Sequence, residues 1–239
     1  MPCIVSLDTA TSCCAIALTS GGVSTGRVLG SLTLCGPGGC SRRLLDGIDY
    51  LMRDAGVGWP EVDGIAVSLG PGSFTGLRIG MATAKGLAVA AGTGLYGVST
   101  LDLLAAGSLS AGLICSVVDA RKKQVYTALY HGDGAGSVSR LTEPQVLSPV
   151  EFAATIDRPV LMVGDGAVLY AELFAERLGG LFCLAPAPVN QVSAVWLGFL
   201  AADLWRRGEA LDLAASSPLY IRRSDAELNL KAPAGGKKG

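Results

Sequence analysis

The chain has 239 residues, with 19 Lys and Arg against 20 Asp and Glu, a single histidine and a formal net charge of −1 at pH 7. Half of it is hydrophobic and 16% is charged, enough to build one large domain or two lobes of about 100–120 residues and too apolar for a mostly disordered chain. The near-neutral balance argues against a protein that grips RNA by itself, because phosphate neutralisation supplies most of that affinity.

In chain order, Cys3–Leu7 is an apolar run ending at Asp8, and Cys13–Thr19 is a second strand after the turn Asp8–Ser12. Gly21-Gly22 allows a hairpin into a third strand, Val23–Leu29. Ser41 is placed to cap a helix running to about Ala55, with Leu44, Leu45, Ile48, Leu51 and Met52 on one face. Gly64–Ser68 reads as a buried strand, followed by a Gly-rich turn and a helix from about Phe74 to Ala91. Ser99, with Asp102 at the third helical position, opens a helix to about Ala106. Ser148 opens another, with Pro149 at its first position, where the missing N–H does no harm.

An internal duplication is visible. Ile114–Asp119 followed by Val125–Tyr130 mirrors Cys3–Asp8 followed by Cys14–Thr19, and Val160–Gly166 mirrors Ala66–Gly72. The spacing predicts two α/β lobes, 1–105 and 106–223, facing a cleft where strand ends and glycine turns meet. A helix at 193–207 is placed to pack back on the first lobe. The tail 224–239 lacks an apolar face and is expected to be loose.

Mean hydropathy is +0.45, yet no run reaches the roughly 20 apolar residues of a membrane span. Met1-Pro2-Cys3 lacks the features of a signal peptide, so a cytoplasmic location is expected. Seven cysteines, an odd number, do not read as a disulfide framework. Cys13, Cys14, Cys35 and Cys40 match no zinc-ligand spacing, so buried free thiols and no metal are expected. His131, at the end of a strand, reads as an exposed turn residue; alone it makes neither a two-His metal site nor a Ser–His–Asp arrangement.

Two segments carry the chemistry. In Leu69–Ala88, Gly70 and Gly72 permit a tight strand-to-helix turn, and Ser73 and Thr75 are placed to cap the helix or to contact an anion at its start. No Gly-Lys-Ser/Thr follows, so this is not a Walker A loop. Gly76, Gly80, Ala84 and Ala88 recur every fourth residue. Glycine in a helix interior costs about 0.8–1 kcal/mol against alanine, so close approach of a neighbour must offset it, either the chain's own sheet or another molecule. The second segment is the turn at Asp8, Thr9 and Thr11. With Gly70, Gly72, Ser73, Gly164 and Gly166 it outlines a nucleotide pocket of the actin/hexokinase type. Ala10 stands where that type has glycine, so the outline is weakened in detail.

Val5–Thr11, Gly70–Gly80, Gly97–Leu101, Val118–Arg121 with Val125-Tyr126, and Leu219–Arg222 resemble the bacterial TsaB (YeaZ) family in order and spacing. The likeness is close over residues 3–130 and looser over 145–223; the segment Leu34–Ser41 departs from many relatives. The resemblance implies an actin-like (ASKHA) fold of two ribonuclease H-like lobes. It implies a non-catalytic part in making threonylcarbamoyladenosine beside the tRNA anticodon, with tRNA met only indirectly. In that family a TsaD-type sister subunit carries a His-x-x-x-His metal site and does the transfer, and a TsaE-type ATPase joins. The matching helix belongs to a dimer interface, which assigns Thr75, Gly76, Gly80, Thr83, Ala84, Leu87 and Ala88 to a partner face, for TsaD or for a second copy. No cofactor is required on this reading, with weak ATP or ADP binding with magnesium left open. The rivals are an autonomous ATPase or phosphotransferase and a glycoprotease-like peptidase, the latter opposed by the missing metal ligands.

Overall fold

The computed structural model describes residues 1–36 and 40–221, those at 40–42 by their backbone alone. Arg222 of the resemblance stretch, the tail and the Ser41 cap fall outside the described residues or side chains. The chain is mixed α/β and carries two sheets.

The first sheet holds β1 (Cys3–Asp8), β2 (Cys13–Ser20), β3 (Arg27–Cys35), β4 (Gly64–Gly70) and β5 (Gly94–Ser99), in the order β3-β2-β1-β4-β5. β1 is buried at all six positions, which is why its sequence is a continuous apolar run rather than an alternating one. Helices α1 (Cys40–Ala55) and α2 (Phe74–Ala91) cover one face. Two more, α3 (Thr100–Gly107) and α7 (Ala194–Arg207), lie on the other. Gly198 sets the seating of α7: a Cβ there would stand 2.3 Å from the Thr19 hydroxyl, and the Ser6 hydroxyl donates to the Ala194 carbonyl at 2.6 Å.

The second sheet holds β6 (Ala111–Arg121), β7 (Gln124–Asp133), β8 (Val138–Arg140), β10 (Val160–Val163) and β11 (Phe182–Leu184), in the order β11-β10-β6-β7-β8, with β9 (Gln145–Leu147) also paired to β7. Its outer face is covered by α4 (Pro149–Ala153), α5 (Asp165–Leu169) and α6 (Ala171–Leu178). Read from the antiparallel edge, β8-β7-β6-β10-β11 repeats both the order and the strand senses of β3-β2-β1-β4-β5. The core between the sheets is shared: Ile4 and Tyr96 of one sheet and Ile114 and Tyr130 of the other pack with Leu101 of α3 and Leu197 of α7.

The caps follow the sequence. The Ser99 hydroxyl accepts from the Leu101 N–H, and Ser148 with Glu151 forms a capping box behind Pro149. Asp102 does not complete such a box. It accepts instead from the buried Tyr130 hydroxyl at 2.7 Å and takes both oxygens to Arg140 at 2.8 Å.

Four expectations change. The third strand begins at Arg27, not Val23, because residues 22–25 close a turn through Thr25 N–H to the Gly22 carbonyl. Leu45 is 54% exposed while Leu44, Ile48, Leu51 and Met52 are buried; one residue along a helix is a 100° turn, which takes it off their stripe. Cys13 and Cys35, placed opposite each other by the β2–β3 register with Cα atoms 4.4 Å apart, form a disulfide rather than free thiols. His131 is exposed, as read, but lies within β7 opposite Ser139 rather than in a turn. Among the described residues no group of His, Cys, Asp and Glu is arranged to hold a metal ion, and no helix is long and apolar enough to cross a membrane.

Candidate functional site

The ends of β1, β4 and β6 converge on a cleft between the two sheets that encloses about 460 Å³. One wall is the turn Ala10, Thr11, Ser12 after β1. A second is the turn Pro71–Thr75 that enters α2. The third comprises Val118–Arg121 at the end of β6, with Tyr126 and Asp165. Leu219, Tyr220 and Ile221 close one edge.

Asp8 ends β1 beneath this cleft and is 1% exposed. Its carboxylate accepts from the Ala10 N–H at 3.2 Å. Burial pushes its pKa up to about 6; Ser68 and the backbone amides of Ala10 and Thr9 pull the other way, and the charge of Asp165 adds to the rise. Thr9 is equally buried and donates its hydroxyl to the Gly76 carbonyl at 2.7 Å. The Ala10 carbonyl accepts from the Ser73 N–H at 2.7 Å. A Cβ on Gly72 would stand 2.3 Å from that same carbonyl. The first turn is therefore fastened to the second by contacts that use the groups a phosphate would need.

The opposite wall is tied in the same manner. Asp165 accepts from the Asp119 N–H at 3.0 Å, and burial first of all raises its pKa. The Asp119 carboxylate takes the Arg121 N–H at 2.9 Å and the Arg121 guanidinium at 3.2 Å. Gly164 donates its N–H to the Asn190 side chain at 3.0 Å. A Cβ on Gly164 would meet the Val117 carbonyl at 2.2 Å, and one on Gly166 the Val118 carbonyl carbon at 2.9 Å. Both glycines serve the close approach of α5 to β6.

Of the residues outlined from sequence, Thr11, Gly72 and Ser73 line the cleft, with Ser73 also capping α2 through the Gly76 N–H at 3.2 Å. Asp8 and Thr9 lie under it, and Gly70, Gly164 and Gly166 are absent from its lining. Magnesium-bound nucleotide does not fit this set, since Asp8 is shut in and the Ser73 N–H and Thr9 hydroxyl, the donors a phosphate would need, are already given to the Ala10 and Gly76 carbonyls. The nucleotide outline drawn from sequence omits Asp165 and Asn190, and omits Arg121 and Tyr126 although both fall in the stretches that carry the family resemblance. Asp119 had a signal, its correspondence to Asp8 between the two halves.

Helix α2 also differs from expectation. Gly80, Ala84 and Ala88 are buried against the sheet, and Cβ atoms on Gly76 and Gly80 would stand 2.0 and 2.3 Å from Thr9 oxygens. The stripe is the helix's inner face, because only hydrogen side chains let it lie on Thr9. The outward face instead presents Thr75, Ala82, Gly86, Val89 and Ala90, with Ile79, Thr83 and Leu87 half-buried at its margins. Val89 is 68% exposed, and a Cβ on Gly86 would meet nothing within 4 Å.

A family model described as TsaD, tRNA N6-adenosine threonylcarbamoyltransferase, matches residues 40–229. Over 229 residues, 93% of this chain and 96% of the other, it is 30% identical to the tRNA threonylcarbamoyladenosine biosynthesis protein TsaB of Escherichia coli. The TsaB protein of Bacillus subtilis is 32% identical over 78% of this chain and 81% of its own length. Among solved structures, YeaZ from Pseudomonas aeruginosa superimposes with a TM-score of 0.77 at 31% identity, covering 92% of this chain and all of that one. With end-to-end similarity to the TsaB proteins, the chain belongs to the TsaB/YeaZ family.

Proposed function

We propose that this chain is a non-catalytic subunit in the formation of threonylcarbamoyladenosine in tRNA, docking on a TsaD-type transferase that a TsaE-type ATPase also joins. The observation that carries this reading is the match to TsaB of Escherichia coli over nearly the whole of both chains. The matched strand orders of the two sheets support an ASKHA-type fold of duplicated lobes. A cytoplasmic setting follows from a tRNA substrate. Weak binding of ATP or ADP with magnesium has no part in this action, and an autonomous phosphotransferase is disfavoured because Asp8 and Thr9 are buried beneath the cleft.

The docking face on this reading is the outward side of α2. Gly86 is its most telling residue: a glycine in a helix interior weakens the helix, and no contact within the chain requires it. A helix of the partner laid across Ala82, Gly86 and Ala90 would require it. Val89 and Ile79 would then supply apolar burial, worth about 1.5–3 kcal/mol for each fully buried side chain. The test is calorimetric titration of the full chain with a TsaD-type subunit. Wild-type chain binds and Gly86→Arg binds at least tenfold more weakly, with a melting temperature no lower than that of wild type. Equal binding by both removes the face from the interface, and self-association by wild type, abolished in the variant, gives it to a second copy of this chain.

A further inference from the structure

The mouth of the cleft holds a group of side chains that the partner reading does not use. Phe74 and Tyr220 both line the cavity and remain 38% and 41% exposed, with ring centroids 5.1 Å apart. Arg78 lies 3.9 Å over the Phe74 ring and donates through Nε to the Tyr220 hydroxyl at 3.2 Å. Tyr220 is held there by the backbone as well, because the Leu219 N–H donates to the Leu69 carbonyl at 2.7 Å. This is a fixed aromatic surface facing an opening, with a polar tip and a cation at its edge.

Arg121 lies on the opposite side of that opening and leads into the β6–β7 turn. Arg121, Lys122 and Lys123 are consecutive residues at φ 60°, 53° and 59°. Such a turn is relieved by Asn or Gly, yet all three positions carry exposed cations. Strained backbone of this kind clusters at sites of function. Deeper in the cavity the charge reverses, with the carboxylates of Asp119 and Asp165 in the lining.

We propose that this rim takes one unpaired nucleotide of an RNA strand, its base laid on Tyr220 and its flanking phosphates met by Arg121, Lys122 and Lys123. Stacking on an aromatic ring beside a cationic track is how single strands are held without pairing. The acidic interior keeps phosphate out and the strand on the rim, which disfavours an isolated nucleotide seated phosphate-first. It also favours adenine and cytosine, whose exocyclic amino groups donate to carboxylates, over uracil, whose single donor, N3–H, is flanked by two carbonyls that carboxylates repel. The tRNA-modification reading supplies the source of the RNA, and the contact is local, in keeping with a net charge of −1.

The test is fluorescence anisotropy of labelled hexanucleotides rA6, rC6 and rU6 with the full chain at about 50 mM salt. The expected result is binding of rA6 and rC6 severalfold tighter than rU6. Tyr220→Ala should weaken binding about tenfold, as expected for loss of one stacked base, and Tyr220→Phe should stay within about twofold of wild type. The double variant Lys122→Ala/Lys123→Ala should lower the salt slope by about 1.4. Absence of binding to any hexanucleotide overturns the proposal, as does an unchanged affinity in Tyr220→Ala with a normal melting curve. Displacement of rA6 by AMP at equal nucleotide concentration, or by polyglutamate at equal charge, overturns it in favour of a mononucleotide or an acidic peptide. The tRNA-modification reading stands or falls separately: a chain still required for modification in a reconstituted reaction, with hexanucleotide binding absent, loses only the rim.

Discussion

Thr9 reaches from the turn after β1 to the Gly76 carbonyl, a 2.7 Å hydrogen bond that pins the first turn of α2 to the cleft. The same side chain fills the space above Gly80. A helix with glycine at both positions can lie directly on that turn, and the cost of the interior glycine Gly80, about 0.8–1 kcal/mol, is offset by the packing and the hydrogen bond they allow.

Gly80→Leu therefore acts on folding. It drives a side chain into Thr9 and should destabilise the monomer by about 1–3 kcal/mol, the usual range for overpacking, measured by denaturant unfolding. A variant as stable as wild type with altered oligomeric state would return the stripe to an intermolecular role.

Gly86→Ala should do the opposite. With nothing within 4 Å of the added Cβ, it should stabilise the monomer by about 0.8–1 kcal/mol through helix propensity alone. An equal or lower melting temperature would show that the outward face carries a constraint within the chain.

Asp8 gives a pH signature. Its folded pKa is raised from 3.8 to about 6, so the folded state holds the proton more tightly than the unfolded chain does. Its contribution is fully favourable below pH 4 and is lost as pH rises through 6. A shift of this size corresponds to about 3 kcal/mol. Asp8→Asn should remove that loss, so the stability of the variant relative to wild type should grow between pH 4 and pH 7. A difference that stays flat across this window contradicts an Asp8 shut in beneath the cleft.

Cys13 and Cys35 close a loop with a sequence separation of 22. Chain-entropy reasoning assigns such a cross-link about 3 kcal/mol. Unfolding under oxidising and reducing conditions should differ by about that amount, and Cys35→Ser should match the reduced protein. Identical unfolding in both conditions would exclude the bond.

Much of the fold was legible because it rests on local signals. Continuous apolar runs marked β1 and β4, and Ser73, Ser99 and Ser148 marked helix starts. The repeated strand order was legible in the placement of Asp8 and Asp119, which lie at or near the ends of the central strands β1 and β6. The direction in which α2 faces was not legible, because it carries small residues on two sides. Gly76, Gly80, Ala84 and Ala88 form one row and Ala82, Gly86 and Ala90 another, and periodicity alone does not say which meets the sheet. The Cys13–Cys35 pair depends on the β2–β3 register, which a turn placed four residues early conceals. Asp165 and Tyr220 come to the cleft from segments far apart in the chain, and Asn190 lies behind it on the Gly164 N–H, so no local spacing announces that they meet.

The central claim is tested most directly by reconstituting tRNA modification from TsaD-type and TsaE-type subunits with and without this chain, and reading threonylcarbamoyladenosine by mass spectrometry. Modification should require the chain and should fall at least tenfold with Gly86→Arg. Full modification in its absence would contradict the assignment.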